Sequence, residues 1–75
     1  MKLPEKLTLS VVMFADGANG YKIQEYENKE FGIKVKHEKM NKLTAWTTTF
    51  TTSLIPGKQF KAYADIKKAL EALPE

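Results

Sequence analysis

The residue types best suited to chemistry gather in residues 34–39, where three lysines surround the only histidine of the chain, His37. Imidazole titrates near neutral pH and ammonium groups attract anions, so this composition is typical of a phosphate site or an acid–base group. A metal site or a catalytic triad also needs a second ligand or a placed carboxylate, and the sequence identifies neither. The 75 residues contain no cysteine, which excludes thiolate nucleophiles and cysteine-based zinc sites. We expect a protein that is not an enzyme and has no metal or cofactor, and no small-molecule substrate is evident.

Gly17 and Gly20 form the other motif that is associated with chemistry. They lie between two predicted strands, whereas a phosphate-binding loop connects a strand to a helix. Asp-Gly and Asn-Gly pairs supply the left-handed backbone positions that a β-hairpin loop requires. The segment therefore predicts a hairpin and not a nucleotide site.

The charge composition limits how the chain can bind nucleic acid. The net charge is +3, and all 12 basic residues are lysine. Arginine reads guanine edges and phosphates with two parallel hydrogen bonds, whereas lysine offers a point charge. Binding to nucleic acid is therefore expected to be directed at the backbone and to weaken with salt.

The start of the chain superficially resembles a secretory signal, with lysines followed by apolar residues. Thr8 and Ser10 interrupt that apolar run at the spacing of a strand, so a strand is the favoured interpretation. No stretch approaches the roughly 20 apolar residues of a membrane span. We expect a cytoplasmic protein with no membrane partner, folded as a single small domain over residues 1–75.

Alternation with a period of two predicts four strands. The first covers residues 6–15, the second runs from Tyr21 to about Glu27, the third contains Phe31, Ile33 and Val35, and the fourth lies within the uncharged residues 43–57. Six of the nine residues from 44 to 52 are threonine, whose branched Cβ favours a pleated backbone. Residues 37–42 are expected to be a polar connection. A bulge near Gln24 is left open, because it would decide which side Tyr26 faces.

An amphipathic helix of about three turns is predicted after the turn at Pro56 and Gly57, and Pro74 ends it. Its apolar residues are Tyr63, Ile66, Ala69, Leu70 and Leu73. Short connections favour an antiparallel meander, and the helix can bury its apolar side only against one sheet face. The predicted fold is α+β: a four-stranded antiparallel sheet in ββββα order with one C-terminal amphipathic helix packed on one face.

The opposite face of the sheet is expected to be open to solvent. Alternation assigns to it Thr8, Ser10, Val12, Phe14, Lys22, Gln24, Lys34, Lys36, Thr47, Thr49 and Thr51, with Tyr26 undecided. The assignment of Phe14 requires that the first strand contain no bulge. Trp46, Thr48, Phe50, Thr52 and Leu54 are assigned to the buried face of the fourth strand.

The lysines and aromatic rings of this open face suggest a platform for single-stranded nucleic acid. Lys22, Lys34 and Lys36 would neutralise phosphates, and Phe14 and Tyr26 would stack on bases. The alternative interpretation is that these lysines are merely solvated positions of an amphipathic sheet. The first hypothesis is therefore a non-enzymatic protein that binds nucleic acid through its open sheet face.

The second hypothesis comes from the uncharged threonine strand. A meander makes its last strand an edge, and natural edges are usually protected by a lysine, a proline or a bulge. An unprotected edge suggests pairing with a second copy, as a homodimer, or with another protein. Thr47, Thr49 and Thr51 would then belong to the interface of a small inhibitor or adaptor that blocks a larger target. A central position of this strand in a different strand order would remove the argument.

Overall fold

Four antiparallel strands are connected in sequence order in the computed structural model, which describes residues 2–74. They are β1 (Ser10–Asp16), β2 (Lys22–Asn28), β3 (Ile33–Lys39) and β4 (Thr47–Thr52), and they form one sheet in the order β1-β2-β3-β4. A single helix, α1 (Tyr63–Glu71), follows. The predicted ββββα meander, a small single α+β domain, is confirmed, and β4 is an edge strand.

The loop between β1 and β2 is a tight hairpin connection built on left-handed backbone. Residues 18–20 form a short 3-10 turn in which Asn19 has φ 61° and Gly20 has φ 82°. The Asn19 carbonyl accepts a hydrogen bond of 3.1 Å from the backbone N–H of Lys42. The first hairpin is thereby tied to the connection between β3 and β4.

Several strand boundaries differ from those predicted. Phe31, expected in the third strand, lies in the turn before β3, where its N–H donates to Asn28 Oδ1 at 2.9 Å. β1 begins at Ser10 and not at residue 6: residues 5 and 6 form a bend, and residues 7–9 are not part of the sheet. β3 continues through Lys39, so the first half of the predicted polar connection belongs to the sheet. His37 lies between Gln24 of β2 and Thr48 of β4, and strand pairing on both sides outweighs the polarity of this segment.

A bulge lies in β1 and not near Gln24. The register shifts between Val11 and Met13, so Val12 is an extra residue relative to β2. An extra residue reverses the alternation beyond it, which moves every later side chain of the strand to the opposite face. Val11 and Phe14 therefore lie on the same face of the sheet.

The core lies at one end of the sheet, under the helix. Its fully buried side chains are Ile33 of β3 and Ile66 and Leu70 of α1, and Leu3, Val35 and Phe60 complete the cluster. Apolar burial of this kind stabilises by roughly 25 cal/mol per Å². The helix stands over the part of the sheet that contains Ile33, so the opposite end of the same face receives no cover from it.

Two hydrogen bonds hold the N-terminal segment against the helix, and we call this pair of contacts the clamp. The Leu3 N–H donates to the Glu71 carboxylate at 3.1 Å, and the Tyr63 hydroxyl donates to the Pro4 carbonyl. Burial, with a contribution from the Glu71 charge, raises the pKa of Tyr63 above its ordinary value. The hydroxyl therefore remains a hydrogen-bond donor throughout the neutral range.

Replacing Gly20 tests the contact between the two loops. An added Cβ at Gly20 would lie 2.5 Å from Cγ and 2.8 Å from the backbone nitrogen of Lys42, and the residue also needs its positive φ. Gly57 has a similar φ of 80° but nothing within 4 Å of its Cβ position, so Gly57→Ala is the matched control. We expect Gly57→Ala to cost roughly 1–2 kcal/mol of unfolding free energy. Gly20→Ala should cost roughly 1–3 kcal/mol more, because the Lys42 backbone must move.

Urea unfolding of the two variants measures this difference. Equal losses of stability would show that left-handed backbone strain is the whole effect and that the contact with Lys42 adds nothing.

Candidate functional site

Strand pairing assigns each side chain to one of two faces, because residues directly opposite one another in an antiparallel pair share a face. The helix face carries Val11, Phe14, Asp16, Lys22, Gln24, Tyr26, Asn28, Ile33, Val35, His37, Lys39, Thr48, Phe50 and Thr52. The open face carries Ser10, Met13, Ala15, Ile23, Glu25, Glu27, Lys34, Lys36, Glu38, Thr47, Thr49 and Thr51.

The five residues predicted to form one nucleic-acid site are divided between these faces. Lys34 and Lys36 lie on the open face, and Lys22, Phe14 and Tyr26 lie on the helix face. The expectation that they share the open face is wrong. Phe14 changes face because of the bulge in β1, and Tyr26 lies opposite Val35, a core residue. Whether any of the five binds nucleic acid stays a prediction.

Carboxylates flank the lysines of the open face. Lys36 lies opposite Glu25 on one side and Thr49 on the other, and Lys34 lies opposite Glu27. The Glu27 carboxylate is also 3.9 Å from the Lys29 ammonium. Negative charge beside each lysine lowers the attraction of this face for phosphates.

Aromatic rings and lysines instead come together on the helix face, at the end that the helix leaves uncovered. We call this region the aromatic platform. It consists of Phe14, Lys22, Gln24, Tyr26, His37, Lys39 and Trp46. One row across the sheet holds Phe14, Gln24 and His37, and the next row towards the hairpin loop holds Lys22 and Lys39.

Trp46 lies against His37 at one side of the platform. Their ring centroids are 4.4 Å apart and the rings are nearly parallel, at 2°. The Thr48 hydroxyl is 2.9 Å from His37 Nδ1, which fixes the imidazole in this orientation. Trp46 was expected in the core, but it remains 38% exposed and stacks on His37. Chain direction explains the difference, because β4 begins only at Thr47 and Trp46 precedes the part of the sheet that the helix covers.

Phe14 and Tyr26 form the other side of the platform. Their centroids are 5.8 Å apart with the rings at 71°, an edge-to-face pair. Phe14 is 59% exposed, whereas Tyr26 is half-buried and rests against the core. The Tyr26 hydroxyl donates to Gln24 Oε1 at 3.2 Å, which orients the amide between the two ring pairs.

The charge of the platform is positive. Lys22 and Lys39 are opposite one another, and Asp16 is the one carboxylate that the paired strand residues place on this face. The Lys22 ammonium is 4.0 Å from Asp16, and both side chains are more than half exposed. An exposed pair of this kind is weak, so Lys22 remains able to meet an anion.

Part of the β4 edge is closed by its own chain. Phe50 exchanges both backbone hydrogen bonds with Phe60, at 2.7 and 2.9 Å, and the Thr52 carbonyl accepts from Ile55. Alternation turns the backbone groups of Thr48 outwards as well. Of the β4 residues that face outwards, Thr48 alone has no backbone partner within residues 2–74.

The three threonines predicted for a protein interface face inwards with their backbones. Thr47, Thr49 and Thr51 are opposite Glu38, Lys36 and Lys34 of β3, and alternation directs their N–H and C=O groups to that strand. They can therefore contact a partner only through side chains on the open face.

Sequence reasoning missed His37, Lys39 and Trp46 as members of one site. The signal was present: Ile33, Val35, His37 and Lys39 follow one unbroken alternation along β3. Continuing that alternation past Val35 places His37 beside Gln24 and Lys39 beside Lys22.

Comparisons with protein-family models, with curated proteins and with solved structures find no match to this chain. Within residues 2–74, no helix is long and apolar enough to cross a bilayer.

The stack on His37 predicts restricted access to Trp46, the only tryptophan of the chain. We expect His37→Ala to raise the acrylamide quenching constant of tryptophan fluorescence, because one ring face loses its cover. Thr51→Ala, on the open face of β4, is the control and should leave the constant unchanged. Equal quenching in wild type and His37→Ala would show that the stack is not maintained in solution.

Proposed function

We propose that this protein is a non-enzymatic binding protein that engages single-stranded nucleic acid through the aromatic platform. The observation that carries the proposal is the gathering of Phe14, Tyr26, His37 and Trp46 on one half-face, with Lys22 and Lys39 in the adjoining row towards the hairpin loop. Rings stack on bases whatever their sequence, and ammonium groups neutralise phosphates. Three of the five residues predicted from the sequence belong to this arrangement.

The spacing of the platform suits two bases. Neighbouring strands are about 4.8 Å apart, so Phe14 on β1 and the His37–Trp46 stack beside β3 are roughly 10 Å apart across the sheet. Gln24 lies between them with its Oε1 held by Tyr26, which leaves its amide N–H groups free to donate to a base edge. Each ring pair would hold one unstacked base.

The chemistry favours a single strand over a duplex. A flat sheet face presents rings that can meet bases only when those bases are not already stacked in a helix. The chain also has no arginine to read guanine in the major groove. We therefore expect modest sequence preference.

Titration of the protein with oligo(dT) tests the proposal, with Trp46 fluorescence as the readout of stacking. Phe14 is well exposed, so Phe14→Ala should fold normally. We expect it to lose roughly 1–3 kcal/mol of binding free energy, equivalent to roughly 5- to 150-fold in affinity.

Matched lysine variants identify the face that binds. The double variant Lys22→Gln/Lys39→Gln should weaken binding, whereas Lys34→Gln/Lys36→Gln, with the same change of charge on the open face, should not. Two phosphate contacts on a single strand predict that affinity falls roughly sevenfold between 50 and 200 mM salt. A larger loss from the open-face pair would overturn the platform assignment.

A protein-binding module that pairs through the threonine strand is the second candidate. It is supported by the position of β4 at the sheet edge and by the free backbone groups of Thr48. Such a module could act as a small inhibitor or adaptor. Absence of oligonucleotide binding at low salt would reject the platform proposal and leave this candidate.

A further inference from the structure

The outer edge of β1 has no backbone partner within residues 2–74. The Gly17 N–H bonds to the Tyr21 carbonyl at 2.8 Å, and alternation from that pair turns the backbone groups of Phe14 outwards, away from β2. The same alternation, followed through β2 and β3, turns the backbone groups of Phe50 in β4 outwards, where they bond to the backbone of Phe60. The β4 edge is thus partly closed, whereas β1 keeps its edge open along its length.

β1 is also apolar on both faces. Val11 and Phe14 are each 59% exposed on the helix face. Val12, the extra residue of the bulge, is 51% exposed and lines a groove with Glu25 and Lys36 of the open face. Met13, opposite Glu25, is 40% exposed on that same face. An edge strand with exposed apolar side chains on both faces, and without a lysine or proline, has only the bulge at Val12 to oppose pairing.

We propose that β1 pairs antiparallel with β1 of a second copy of this chain, which joins the two sheets into one of eight strands. An occupant lying on either face would leave the apolar side chains of the other face exposed. A strand added at the edge satisfies the outward N–H and C=O groups and covers side chains on both faces. The occupant must therefore be a strand.

The charges of β1 favour its own copy as that strand. Asp16, at the end of β1, is the one charged residue of that strand. A two-fold axis near the middle of β1 runs the two strands in opposite directions, so the two Asp16 carboxylates lie at opposite ends of the pair. Like charges do not meet, and each strand supplies the uncharged apolar surface that the other requires.

The two-fold axis would also bring the two platforms together. Phe14 lies on the helix face of β1, so the Phe14 rings of both copies would flank the axis on the same face of the joined sheet. The pairing itself does not depend on nucleic acid, and its test uses none.

Sedimentation equilibrium of the full chain over a concentration series tests the proposal. We expect a mass twice the 8.5 kDa of one chain for the wild type. Val11→Lys and Val12→Lys place like charges at the axis on opposite faces, and each should weaken dimerisation by roughly tenfold or more. Leu43→Lys makes the same chemical change in a turn where the side chain is 96% exposed, and it should remain dimeric.

Three results would overturn the proposal. The first is a wild-type monomer at the highest concentrations reached. The second is a dimer that only one of the two β1 variants weakens, which would indicate packing on one face in place of strand pairing. The third is a dimer in which the Val11 and Phe14 amide protons exchange as freely as in a monomer. Circular dichroism of each variant checks that the sheet is intact.

Discussion

The structure depends on one constraint, which is that a single short helix must cover a larger sheet. The nine residues of α1 span roughly 14 Å, whereas a seven-residue strand spans roughly 23 Å, so the helix cannot extend over the whole face. Burial concentrates where the helix stands, around Ile33, Ile66 and Leu70. The uncovered remainder of the same face becomes the aromatic platform.

The bulge at Val12 determines what that remainder contains. Without the extra residue, Phe14 would lie on the open face beside the lysines and glutamates of β2 and β3. With it, Phe14 meets Tyr26 edge-to-face and joins the rings at the other side of the sheet. One residue in β1 thereby decides whether the two faces are chemically alike or distinct, one with mixed charge and the other aromatic and basic.

Sequence patterns predicted the architecture because its determinants are local. The alternation of β3, the hairpin glycine at position 20 and the helical spacing after Gly57 each act within a few residues, and they fix the ββββα order. The face assigned to a side chain depends on every residue before it in the strand, because a single bulge moves all later side chains to the opposite face. The sequence contains no marker for Val12 as the extra residue. Trp46 was misplaced for a related reason: alternation shows which side it faces but not how far along the sheet the helix reaches.

The clamp between the two ends of the chain has a consequence for the order of folding. Every strand pairs with its neighbour in sequence, so the sheet can form from local contacts alone. The core closes only when Leu3 meets Glu71, across a separation of 68 residues. Covering Ile33 and Val35 therefore depends on contacts of long sequence separation, which have a larger loop-closure cost than the pairing of neighbouring strands.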